Sequence, residues 1–159
     1  MSTYYFDSSA WVKVYVPETG TPWVTNIFGT KTPSGQPLHR IAVVNIGIVE
    51  VAAAIARRER MGQIRPEKRQ QLYKRVWFDN NIRLLPLGIS NDIIHSAAVL
   101  TQSASLHGYD AIHLAAALTL NQQLKTARLP ALTFVSADTD LCSAATAEGL
   151  TTDNPNNHP

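Results

Sequence analysis

Five acidic residues of this chain stand where solubility alone does not explain an acid. Asp7 follows the apolar run Tyr4-Tyr5-Phe6, and Glu50 lies within IGIVEVAAAIA. Asp110 opens DAIHLAAALTL, Asp138 follows Leu132–Ala137, and Asp140 comes two residues later. A carboxylate with no basic neighbour in sequence is costly to bury unless it is paired or bound to a metal. Asp7, Glu50, Asp110 and Asp138 also fall at or near predicted helix N-termini, where the dipole and free N–H groups favour anions. Gathered in one pocket they would repel and raise one another's pKa values. A hard divalent cation resolves that conflict: Mg²⁺ takes oxygen ligands and keeps several waters. The chemistry that follows is metal-assisted phosphodiester hydrolysis, with a metal-acidified water attacking.

Each acid has a plainer explanation by itself. Asp110 and Asp138 can be helix N-caps, Asp7 a turn residue, and Glu50 the partner of an arginine such as Arg40. Ser8, Ser9 and Ser136 are small hydroxyls beside these acids; they can orient the carboxylates, cap their own helices, or do both. His113 lies one turn after Asp110 on the same face, and a packed histidine is its simpler reading. Lys13, Arg57, Arg58 and Lys125 are candidate phosphate contacts, ordinary surface being the plainer role. No HExxH, CxxC, Walker or GxSxG pattern occurs.

The elements that must position the acids are strand–turn–helix units. Thr3–Lys13, TYYFDSSAWVK, reads as a strand that runs into Asp7 and then a helix to about Val16. Leu132–Asp140, LTFVSADTD, repeats the design, with a helix from Asp138 to about Glu148. Neighbouring parallel strands of an open α/β sheet end in one crevice, so two strands that finish in carboxylates imply a shared acidic site. Between them the pattern predicts helices over Thr21–Phe28, from Asn45 or Gly47 to about Met61, and over Pro66–Asn80, Ser90–Ser105 and Tyr109–Leu124. Ile41–Val44, Ile82–Pro86 and Leu150–Thr152 are further strands, and Gly29–His39, with two Pro and two Gly, is an exposed loop. Few strands among many helices mean an α/β layer fold with a small parallel sheet.

The 159 residues fit one domain, taken as 1–152, with a polar tail, 153–159, expected to fray. Hydrophobic residues make up 45%, enough for a core without cross-links. A net charge of +2 is compatible with a nucleic-acid partner without requiring one. A lone cysteine, Cys142, excludes an intrachain disulfide and fits a reducing cytoplasm. No signal-like run opens the chain. The longest apolar stretch, Ile41–Ala56, is interrupted by Asn45, Gly47 and Glu50 and is too short to span a bilayer, so no membrane partner is expected.

Four segments in order, FDSSAWVKVYVPE, VEVAAAIARR, YDAIHLAAAL and FVSADTDLCSAATAEGL, resemble the PIN-domain ribonucleases, specifically the VapC-type toxins of type II toxin–antitoxin pairs. The likeness runs to about Asn154. It implies a PIN-like three-layer α/β/α fold whose short parallel sheet has about four to five strands. It also implies an endoribonuclease dependent on Mg²⁺ or Mn²⁺. The family's acidic quartet carries over onto Asp7, Glu50, Asp110 and Asp138, with Asp140 as an extra or substitute ligand. The family's supporting hydroxyls match Ser136 and either Ser8 or Ser9. The implied partners are an RNA substrate, tRNA or rRNA among the choices, a cognate antitoxin whose tail fills the groove, and a second copy in a homodimer. Many members place Ser or Thr three residues before the glutamate; this chain has Gly47 there. Two other readings are a PIN-like binding module without turnover and a haloacid-dehalogenase-type phosphatase. The phosphatase needs a second Asp where this chain has Ser9.

Overall fold

Aromatic and β-branched side chains favour extended backbone, and the apolar runs that carry them form short strands. In the computed structural model, which describes residues 1–158, these are β1 (Thr3–Phe6), β2 (Arg40–Val44), β3 (Leu85–Leu87), β4 (Thr133–Val135) and β5 (Thr151–Asp153). All pair in parallel, in the order β3-β2-β1-β4-β5. β3 contains Pro86, which lacks a ladder N–H, and it takes an edge.

Parallel strands need crossover connections, and helices supply them. These are α1 (Ser8–Trp11), α2 (Thr21–Gly29), α3 (Gly47–Arg60), α4 (Pro66–Ile82), α5 (Asn91–Ser103), α6 (Gly108–Thr126) and α7 (Thr139–Ala147). Side chains alternate across the sheet. Tyr5, Ala42, Val44 and Phe134 pack with α5, α6 and α7. Phe6, Ile41, Val43 and Val135 pack with α1 to α4. The expected α/β/α sandwich is therefore present, and both sheet faces are apolar and covered, as a parallel sheet requires.

The strand order reverses direction between β1 and β4, which opens a crevice at their carboxyl ends. α1, α3 and α7 follow their strands and so begin at that edge. α6 begins there too, because it runs back along β4: its His113 meets Tyr5, and its Asn121 accepts from Leu132 N at the start of β4.

Two expectations are corrected. The helix after β1 is one α-turn followed by a 3-10 turn, Val12–Val14, rather than continuous helix to Val16. The polar C-terminal segment does not fray over the described residues; Pro159 lies outside them. Asp153 belongs to β5, and a 3-10 turn covers Pro155–Asn157. Pro155 is buried against Gly20, whose φ is +82° and where a Cβ would lie 2.2 Å from the Pro155 carbonyl oxygen. His158 stacks on Trp23 with ring centres 4.4 Å apart. The loop after α2 is closed by a bridge between Lys31 and Pro37. No helix among the described residues is long and apolar enough to cross a membrane.

Candidate active site

Asp7 takes the first position after β1 and caps α1, its Oδ1 accepting from Ala10 N at 2.8 Å. It is only 4% exposed. Two hydroxyls converge on it, one from its own turn and one from the far end of the chain. Ser9 Oγ lies 2.7 Å from Oδ1 and 2.9 Å from Oδ2, and Ser136 Oγ donates to Oδ2 at 2.6 Å. Both serines are oriented by the backbone that leads into α7: Ala137 N donates to Ser9 Oγ at 2.8 Å and Asp138 N to Ser136 Oγ at 3.0 Å. With their lone pairs engaged, the hydroxyl protons point at Asp7. Burial still pushes the Asp7 pKa above its ordinary value, against the lowering effects of His113 and these hydrogen bonds.

Glu50 lies in the first turn of α3 with its side chain 27% exposed. Ser8 Oγ donates to its Oε2 at 2.9 Å, and His113 Nε2 lies 2.7 Å from the same oxygen. Tyr5 O–H meets His113 Nδ1 at 3.1 Å. Burial drives the Tyr5 pKa far up, so the phenol keeps its proton. The ring's Nε2–H faces the Glu50 carboxylate, which can only accept. For Glu50, burial pushes upward, but the His113 bond and charge and the Ser8 bond outweigh it, and the pKa lies below its usual value. The pairing with Arg40 considered from sequence does not occur. Gly47 stands where α3 crosses His113 and Trp11: a Cβ there would lie 3.4 Å from His113 Cε1 and 3.5 Å from the indole.

Asp110 sits in the first turn of α6, its side chain 28% exposed, with His107 Nδ1 at 3.4 Å. Its pKa is raised by burial first and by the charge of Asp138 next, with Glu50 adding; His107 and His113 act against the rise. The fields of two other carboxylates therefore overlap at Asp110. Asp138 is the N-cap of α7, and its Oδ1 accepts from Asp140 N at 2.8 Å and Leu141 N at 3.0 Å. Asp140 is exposed and borders a surface hollow with Ala104, Ser105 and Leu106. Of the two acids the sequence leaves open, Asp138 is the one whose charge reaches Asp110.

The structure thus brings Asp7, Glu50, Asp110 and Asp138 to one edge of the sheet and commits each serine: Ser8 to Glu50, Ser9 and Ser136 to Asp7. His113, which one-turn spacing from Asp110 leaves as a packed side chain, is buried and bridges the site, with Tyr5 at 3.1 Å on one nitrogen and Glu50 at 2.7 Å on the other. The available signal was a buried polar residue in an Ala- and Leu-rich helix, which demands a partner. Lys13, a candidate phosphate contact, is buried and bonds Glu18 at 3.2 Å, so it is withdrawn from that role.

The donor set is all carboxylate and hydroxyl oxygen, the chemistry of a hard divalent cation. Burial opposes the ionisation of both Asp7 and Asp110, and a cation would reverse that. Among the described residues, no three His, Cys, Asp or Glu side chains stand close enough to grip an ion directly. Mg²⁺ retains waters and can be met through them, so this set fits an ion held partly at second hand.

The family model for the PIN domain matches residues 4–147. The chain belongs to the PIN domain family. No curated protein sequence matches it. Among solved structures, this PIN domain is similar to a toxin–antitoxin complex from Klebsiella pneumoniae, with 17% identity, TM-score 0.57, 96% of this chain and 97% of that one. It is similar to VapBC2 from Rickettsia felis bound to a promoter DNA fragment, with 13% identity, TM-score 0.61, and 96% and 98% covered. It is also similar to VapC20 from Mycobacterium tuberculosis, a sarcin–ricin loop cleaving toxin, with 12% identity, TM-score 0.60, and 94% and 97% covered. At these identities the likeness is one of fold.

Proposed function

We propose that this PIN domain is a metal-dependent endoribonuclease acting as the toxin of a toxin–antitoxin pair in the cytoplasm. The observation that carries the reading is the wiring of Asp7. A buried carboxylate is fixed by hydroxyls from two separate segments, at the edge where Glu50, Asp110 and Asp138 also gather. Plain capping of α1 would need only the bond from Ala10 N.

Asp7, Asp110 and Asp138 would hold Mg²⁺ or Mn²⁺, with Asp140 the substitute for Asp138. Glu50 would join them in holding it, with Ser8 and His113 both bonded to its Oε2. The bound cation supplies charge neutralisation at a scissile phosphate and a more acidic water. Ser9 and Ser136 hold the Asp7 carboxylate still; Ser8 and His113 do the same for Glu50. An aspartyl-phosphate route through Asp7 is disfavoured, because the neighbouring acid it needs is Ser9.

An antitoxin partner and a second copy are part of the proposal. Similar folds occur in toxin–antitoxin complexes. Tyr73, Trp77, Phe78 and Ile82 on α4 are exposed, more apolar surface than a lone soluble domain usually leaves on one helix. The substrate is RNA with an accessible single-stranded segment, tRNA or rRNA among the choices.

The test is RNA cleavage in Mg²⁺ or Mn²⁺ by wild type, Asp7→Asn and Asp110→Asn. Each variant should lose at least about 10²-fold while folded, the scale for deleting one preorganised polar group. Unchanged cleavage in either would sink the assignment. A binding module without turnover is favoured by one observation, the lack of three acids at gripping distance among the described residues. Such a module would bind RNA and show no metal-dependent cleavage.

A further inference from the structure

The acidic edge has a basic continuation along α3. At 100° per residue, Ala53, Ala54, Arg57 and Met61 fall within about 60° of Glu50, with Arg58 and Arg60 flanking them at about 80° to either side. Those six residues, with Gln63 and Glu18, line one groove of about 570 Å³. Its floor is low because it is alanine, and its far end carries three arginines. Arg58 is held in place by an ion pair with Glu18 and by a bond from Nη1 to Gln63 Oε1 at 3.0 Å. Glu18 also receives buried Lys13, so its charge is answered twice. Glu59 is paired with Arg69 on α4. Among the described residues, Arg57 and Arg60 have no carboxylate partner. Arg57 lies seven residues from Glu50, about 10 Å along the helix axis.

The geometry points to this groove as the seat of the substrate's phosphate backbone where the strand leaves the acidic edge. Arg57 and Arg60 grip phosphates through their guanidinium forks, and Arg58 holds one wall. This rests on the endoribonuclease reading above. A phosphate backbone and an acidic protein segment would both bring negative charge toward the four acids, and it is the endoribonuclease reading that selects the nucleic acid. The alanine floor leaves room for a backbone that must pass close to the helix.

The test measures binding without turnover. A fluorescent single-stranded RNA is titrated by anisotropy against the non-cleaving Asp7→Asn protein across a salt series. Adding Arg57→Ala and Arg60→Ala should weaken binding about tenfold and reduce the log–log salt slope by about 1.4, or about 0.7 for Arg57→Ala alone. Lys125→Ala should change neither, since Lys125 lies in the last turn of α6, at the end away from the acidic edge, and so leaves the set of candidate phosphate contacts. An unaltered slope in the double variant, with circular dichroism unchanged, overturns the proposal. Poly-glutamate binding as tightly as the RNA overturns it in favour of an acidic protein partner. The two readings fail separately. Arginine-dependent binding by a wild type that cuts no RNA sinks the nuclease and keeps the groove. Cleavage with unchanged KM in the double variant does the reverse.

Discussion

Asp7 and Asp110 are both carboxylates whose ionisation burial opposes, yet their surroundings differ in kind. Asp7 is sealed, and every polar contact it makes is to a donor that the backbone has already oriented. Asp110 is half-buried, faces the charges of Asp138 and Glu50, and has one loose contact to exposed His107. One acid is preset by the fold, and the other is poised for a cation. Glu50 makes a third case, since His113 and Ser8 keep it ionised without a cation. On the proposed function this division would serve catalysis: a fixed point would define where a cation sits, and a responsive one would let its charge matter.

The sharpest way to break the contrast is to remove one support from each. Ser136→Ala takes away a hydroxyl that donates to Asp7, and cleavage should fall about 10–100-fold, the usual scale for groups that orient metal ligands. His107→Ala removes the exposed neighbour of Asp110 and should change the rate by less than about threefold, as for exposed ion pairs. Rates measured side by side at saturating Mn²⁺ decide it; equal effects would mean the two acids are held alike.

Stability without metal separates the acids by sign. Asp7 and Asp110 have raised folded pKa values, so their contributions are complete below about pH 3.8 and are lost as pH climbs through the folded values. Glu50 has a lowered one, so its contribution is complete above about 4.5 and is lost as pH falls through the folded value. At pH 7 in EDTA, Asp110→Asn should therefore melt slightly higher than wild type. Glu50→Gln should melt lower by roughly 2–4 °C, for a loss of about 1 kcal/mol in charge-assisted bonds. Shifts of the same sign in both variants would contradict the contrast.

The preset half of the site was more legible in the sequence than the responsive half. β1 with Asp7 and β4 with Ser136 announce themselves as apolar runs that end in polar residues, and parallel sheets put such ends together. Ser8 and Ser9 could not be told apart, because adjacent residues of one helical turn point about 100° from each other and their targets lie elsewhere in the chain. Ser8 turned out to serve Glu50, not Asp7. His113 was passed over because its partner is 63 residues away and one-turn spacing from Asp110 explained it locally. The C-terminal segment looked loose by composition; the Trp23–His158 stack and the Gly20–Pro155 contact that hold it are long-range. Asp138 and Asp140 needed the field at Asp110 to distinguish them.

The most direct measurement is Mn²⁺ binding by electron paramagnetic resonance, with folded wild type and Asp110→Asn compared at pH 7. Wild type should take up a protein-bound Mn²⁺, and Asp110→Asn should bind it at least about tenfold more weakly. No bound Mn²⁺ in wild type, or equal affinity in the two proteins, would contradict a single cation site built from Asp7, Glu50, Asp110 and Asp138.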